Sequence, residues 1–147
     1  MKLEGQTTIT APQAKVWTFL TEPDQVSQCV PGLKSMEIIA PKEQFKAIAA
    51  IGFGTVQVTF ITDVTWTALE EPDHAGMKAH GTAPGSAADV IAEMFLSTNE
   101  DGTTDLKWTA DVTVVGTIAS LAARMMSSVT KVLTSAFFKC VQKHIEG

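Results

Sequence analysis

Residues 55–67 read TVQVTFITDVTWT. Val56, Val58, Phe60, Val64 and Trp66 share one parity; Thr55, Gln57, Thr59, Asp63, Thr65 and Thr67 share the other, interrupted only by Ile61 and Thr62. Successive side chains of a strand point to opposite faces, so the stretch reads as a strand with one dry and one wet face. Residues 106–114 repeat the pattern, with Leu106, Trp108, Ala110, Val112 and Val114 opposed by Lys107, Thr109, Asp111 and Thr113. An antiparallel sheet solvated on one side produces this alternation, and its dry side needs a cover.

The flanking sequence supplies both the remaining strands and the cover. Leu3, Gly5, Thr7 and Ile9 alternate with charged and polar neighbours, which predicts an opening strand. Thr10-Ala11-Pro12 reads as a helix start with Thr10 as candidate cap, followed by Val16, Trp17 and Leu20 at helical spacing. Pro23 ends that helix, and a brief helical turn over 24–30 is closed by Pro31-Gly32. Between Leu33 and Gly116, turn residues at 40–42, 52–54, 71–73, 84–85 and 99–102 divide the chain into six meandering strands. Residues 117–144 lack Gly and Pro and carry Ile118, Leu121, Ala122, Met125, Val129, Val132, Leu133, Ala136, Phe137 and Cys140 as one stripe. The expectation is an α+β fold: a curved seven-stranded antiparallel sheet, two short helices after strand one, and a long C-terminal helix over an apolar cavity.

The chain has 147 residues, which predicts one domain over 1–147. With 11 basic against 16 acidic residues and a net charge of −5, it lacks the basic surface of a nucleic-acid binder. No stretch reaches the roughly 20 apolar residues of a membrane span, and no signal-like segment opens the sequence, so a soluble cytoplasmic protein is expected. Cys29 and Cys140 stand far apart without a CxxC partner or a histidine read as lying at metal spacing. They are expected to be buried free thiols.

Chemistry-bearing groups are few. His74 lies in a turn, His80 alternates onto the wet face, and His144 ends the last helix, where a cation suits the dipole. Asp63, Asp89, Glu93 and Asp111 also take wet parity, so no inward carboxylate pair is expected. A bulge at Ala87-Ala88 is the one device that turns Glu93 inward. Gly52-Phe53-Gly54 joins two strands and reads as a hairpin turn, and no GxSxG, CxxC or HExxH motif occurs. No catalytic residue, cofactor or metal site is expected.

The order strand, two short helices, six strands, long helix is that of the helix-grip folds of the START and Bet v 1-like superfamily. Within it, Ile9-Thr10-Ala11-Pro12 with Val16-Trp17, then Cys29-Val30-Pro31-Gly32, then residues 102–108 (GTTDLKW) and 112–116 (VTVVG) resemble the CoxG family of carbon monoxide dehydrogenase proteins over nearly the whole chain. Glu22-Pro23 departs from the family's usual Asp-Pro, and Ala122 from a common Gly. The resemblance implies a cytoplasmic accessory protein of molybdenum-containing, aerobic-type CO dehydrogenases or related hydroxylases. It further implies peripheral contact at the inner face of the membrane and a quinone or similar lipid held in a cavity. Many members continue into an apolar anchoring tail, whereas this sequence stops at Gly147, so anchoring by a tail is not expected.

Small residues at dry positions, Ala47, Ala49, Ala79, Gly81, Ala88 and Ala92, leave volume on a curved sheet. The other reading of them is a tightly packed core that the helix approaches closely. The expected ligand site comprises Phe60, Val64, Trp66, Ala79, Met94, Trp108, Val112, Leu121, Met125, Val129 and Phe137, with Met126 left outside it. Two other functions stay open: an enzyme of the polyketide cyclase or hydratase kind, and a recruitment module whose cavity has collapsed and which acts through the Pro31-Gly32 region.

Overall fold

A computed structural model describes residues 1–146. Strand β1 (Lys2–Ile9) leads into helices α1 (Gln13–Thr21) and α2 (Pro23–Val26). Strands β2 (Leu33–Ala40), β3 (Gln44–Phe53), β4 (Val56–Glu70), β5 (His74–Ala83), β6 (Ser86–Thr98) and β7 (Thr104–Gly116) follow, and α3 (Ala119–Glu146) closes the chain. All strand pairs are antiparallel in one sheet, ordered β1-β7-β6-β5-β4-β3-β2. The meander β2 to β7 forms through short turns, and β1 returns to pair with β7. The 28 residues of α3 span about 42 Å, enough to cross the sheet.

Alternation in β4 runs unbroken through Ile61 and Thr62: Ile61 is 49% exposed on the outer face and Thr62 turns inward. The irregularity in this strand comes later, where its pairing with β5 shifts between Trp66 and Ala68. Strands β5 and β6 pair without a register shift, so Ala87-Ala88 forms no bulge and Glu93 keeps its outward parity. Thr10 does not cap α1. Pro12 occupies that position without a side-chain cap bond, while the Thr10 backbone N–H donates to Glu146 Oε1 at 3.3 Å.

Helix α3 turns the expected stripe inward over most of its length, with Leu121, Met125, Leu133, Phe137 and Cys140 half-buried against the core, and adds Met126, Val141 and Ile145 to the buried line. Ala122, Met126, Val129, Val141 and Ile145 are buried, whereas Val132 is 68% exposed. At about 100° per residue, Val132 lies about 80° round the helix from Ala122, whereas Leu133 stays within about 20° of it, so Val132 falls off the buried line.

The core divides into two clusters along α3. One end packs Ile9, Val16, Trp17, Leu20, Leu96, Val141 and Ile145. The other packs Phe53, Phe60, Ile118, Ala122, Met126 and Val129, with Val58, Val112, Leu121 and Met125 around them. Thr104 is a fully buried polar residue whose hydroxyl donates to the Ala11 carbonyl at 2.7 Å, tying β7 to the start of α1. Thr104→Val strands that carbonyl in a dry corner and is expected to cost about 1.5 kcal/mol in urea denaturation. A cost under about 0.5 kcal/mol contradicts this role.

Candidate ligand cavity

Between the two packed ends lies a cavity of about 480 Å³, within the roughly 300–1,000 Å³ typical of small-molecule sites. Its floor is the dry face of the sheet: Phe45, Ala47 and Ala49 of β3, Val64 and Trp66 of β4, Ala75 and Met77 of β5, Ala92 and Met94 of β6, and Leu106 and Trp108 of β7. Leu133, Thr134, Phe137 and Phe138 of α3 form the roof, and Leu20, Pro23, Val26, Val30, Pro31 and Leu33 close one side. Alanines at 47, 49 and 92 leave this volume open because a methyl fills little of the space between a curved sheet and a helix.

Aromatic packing fixes the wall. Phe45 and Trp66 meet at 6.3 Å with tilted planes, and Phe137 and Phe138 form an edge-to-face pair at 5.1 Å. Gly5 of β1 pairs with Trp108, and a Cβ at position 5 runs into the indole ring at 2.5–2.7 Å, so the glycine lets the tryptophan lie flat across the neighbouring strand. At the rim, Gly32 has φ +75°, a left-handed conformation that favours glycine, and its carbonyl accepts from the Ala50 N–H at 2.9 Å. That bond holds the Val30-Pro31-Gly32 turn against β3.

Of the eleven residues named from sequence, Val64, Trp66, Met94, Trp108 and Phe137 line this cavity. Phe60, Val112, Leu121, Met125 and Val129 instead fill the packed cluster beneath the first half of α3, and Ala79 belongs to neither group. The cavity lies toward the middle of α3 because the hairpin end of β3 and β4 brings Phe53 and Phe60 up against Ala122 and Met126. The wall contributed by α2, the following turn and β2 is missing from that set. Its sequence signal was the apolar run Val30, Pro31, Leu33 and Met36 around a helix-breaking turn.

Polar chemistry on the wall is sparse. Thr62, Thr109 and Thr134 are the hydroxyl-bearing residues that border the cavity, and Thr134 already donates to the Thr130 carbonyl at 2.8 Å. Glu93 borders the cavity, but its carboxylate is on the outer face, bonded to His74 Nε2 at 3.2 Å. His74 Nδ1 meets Glu70 at 2.5 Å, and its ring stacks on Phe95 at 4.7 Å. His80 pairs with Asp89 at 2.7 Å on the same outer surface.

These contacts raise the His74 pKa, chiefly through the hydrogen bond to Glu70, with Glu93 adding to it against some desolvation. A histidine whose pKa is raised by folding adds stability that is complete below its unfolded pKa and is lost as pH rises through the folded one. Stability is therefore expected to fall with rising pH across that window, and Glu70→Gln to flatten the fall. An NMR titration that places His74 at or below an unperturbed histidine contradicts it.

Cys29 and Cys140 are not free thiols. They form a disulfide with Cα atoms 5.4 Å apart, which joins the turn after α2 to the C-terminal half of α3. Sequence separation concealed the pairing, since only the grip of α3 on the sheet brings residue 140 beside residue 29.

A curved antiparallel sheet closed by a long helix over an apolar hollow defines a hydrophobic-ligand-binding fold. The chain belongs to the carbon monoxide dehydrogenase CoxG family, whose profile matches residues 5–146. Among solved structures, a conserved protein from Geobacillus kaustophilus is 28% identical, with a TM-score of 0.91 over 99% of this chain and 95% of the other. A Streptomyces aromatase/cyclase is 17% identical with a TM-score of 0.76, covering 99% and 93% of the two chains. Ara h 8.0201 is also 17% identical, with a TM-score of 0.68 over 99% and 97%. Likeness at that level concerns the fold. No curated protein matches the chain. Among the described residues, no helix is long and apolar enough to cross a membrane.

Proposed function

We propose that this protein is a non-enzymatic carrier that binds a quinone or similar lipid-like hydrophobe in the 480 Å³ cavity. Its role is that of an accessory or membrane-recruitment protein for an aerobic-type molybdenum CO dehydrogenase or related hydroxylase, working in the cytoplasm with peripheral contact at the inner face of the membrane. The observation that carries the reading is the wall: aromatic and aliphatic side chains surround the space, and the nearest carboxylate, Glu93, is engaged outside it. Burying about 300 Å² of apolar ligand surface contributes on the order of 7 kcal/mol before association costs. CoxG membership supports the partner class, and the apolar wall supports the ligand class.

Trp66 and Trp108 line the cavity and report on it directly. Titration with a naphthoquinone is expected to quench their emission saturably at one equivalent, and Trp66→Phe and Trp108→Phe each to remove part of the signal. Quenching that is linear and unsaturable overturns the carrier reading. Cyclase or hydratase chemistry needs convergent ionisable groups around the substrate. Turnover of a linear poly-β-ketone by the purified protein decides for that alternative.

A further inference from the structure

The last turns of α3 bring a third group to the disulfide. His144 lies one turn beyond Cys140, and a ring nitrogen of His144 and the sulfurs of Cys29 and Cys140 all fall within 4.8 Å of one another. The imidazole stacks on Phe19 at 5.8 Å, Cys29 is 4% exposed, and His144 reaches solvent. Cys140 and His144 are spaced i, i+4, so both side chains project from one face of the helix toward the turn that carries Cys29.

We propose that the reduced pair, together with His144, is a binding site for a thiophilic divalent cation, with Zn²⁺ the best chemical fit. Two thiolates and an imidazole make a Cys₂His donor set, and tetrahedral zinc with Zn–S about 2.3 Å and Zn–N about 2.0–2.1 Å requires ligand atoms roughly 3.5–3.8 Å apart. The cluster is already compact enough, and rotation of the two cysteine side chains supplies the spacing once the S–S bond opens. A water supplies the fourth ligand, as in zinc sites with three protein ligands.

Disulfide and metal site exclude each other. Reduction by a small dithiol or dithiol protein transfers two electrons and two protons: the Cys29–Cys140 S–S bond breaks, two thiols form, and the reductant closes its own disulfide. Zn²⁺ then displaces both thiol protons and binds the two thiolates and a neutral imidazole nitrogen. Either form pins the same two segments. Val30 and Pro31 follow Cys29, and Phe137 lies three residues before Cys140, all on the cavity wall. The site thus preserves the rim of the cavity in a reducing compartment, where disulfides are seldom permanent.

The test uses the whole chain, reduced with dithiothreitol, desalted anaerobically and titrated with Co²⁺ and then Zn²⁺. One equivalent of Co²⁺ is expected to produce a thiolate-to-cobalt charge-transfer band and intense tetrahedral visible bands, both removed by one equivalent of Zn²⁺. The oxidised protein gives neither. Cys29→Ser and Cys140→Ser each abolish the charge-transfer spectrum of the reduced protein at one equivalent. His144→Ala retains the disulfide when oxidised, but its reduced form binds Co²⁺ roughly tenfold or more weakly, with altered visible bands. If the metal-free reduced chain loses its fold, one equivalent of Zn²⁺ restores the native circular dichroism. Absence of the charge-transfer band, a spectrum and affinity unchanged in His144→Ala, or an unfolded reduced chain that Zn²⁺ does not restore overturns the proposal.

Discussion

Ala92→Phe is expected to leave the fold intact and to weaken uptake of a naphthoquinone by roughly 60-fold, because the new ring fills part of the cavity in which the proposed ligand would sit. Ala92 lies on the cavity floor between Met77 of β5 and Ala110 of β7. A phenyl group there displaces roughly 100 Å² of ligand contact, about 2.5 kcal/mol at 25 cal/mol per Å². Overpacking is usually costly, but here the added atoms enter open volume, so the melting temperature is expected to stay the same or rise. Ile91→Thr is the matched control, since Ile91 is 58% exposed on the opposite face. Equal loss of uptake in both variants means that the ligand binds elsewhere.

The second large effect concerns Cys29 and Cys140, whose bridge closes a loop of 111 residues in sequence separation. Restricting an unfolded chain by a loop of that length stabilises the native state by up to about 5 kcal/mol in the chain-entropy account. A double Cys29→Ser, Cys140→Ser variant, compared with the oxidised protein without added metal, is expected to lose about 3–5 kcal/mol in guanidinium denaturation. The loss should also loosen the segment from Val26 to Leu33, seen as faster amide hydrogen exchange there than in β6. A double variant as stable as the oxidised protein shows that the bridge does not form in solution.

Local periodicity carried most of the fold. The two-residue alternation in β4 and β7 and the unbroken helical stretch before His144 define the sheet and its cover, because each element's period is fixed by its own backbone geometry. Ile61 and Thr62 look like an interruption only because a hydrophobic and a polar residue exchange faces, and geometry overrides that chemistry. The cavity was legible in kind, through Ala47, Ala49 and Ala92, but not in position. Whether Phe60 or Trp66 faces open space depends on where α3 touches the curved sheet, a long-range property that periodicity does not encode. The pairing of Cys29 with Cys140 is hidden from local sequence for the same reason. The i, i+4 spacing of Cys140 and His144 is local and legible in the sequence, but the proposed metal site also needs Cys29, which only the fold brings near.

Native mass spectrometry of the purified protein incubated with a naphthoquinone bears most directly on the central claim that the hollow under α3 is a ligand site. A one-to-one complex is predicted for the wild-type chain and Ile91→Thr, and its loss in Ala92→Phe. A folded wild-type protein that retains no quinone, fatty acid or other hydrophobe, or a complex undiminished by Ala92→Phe, contradicts that claim.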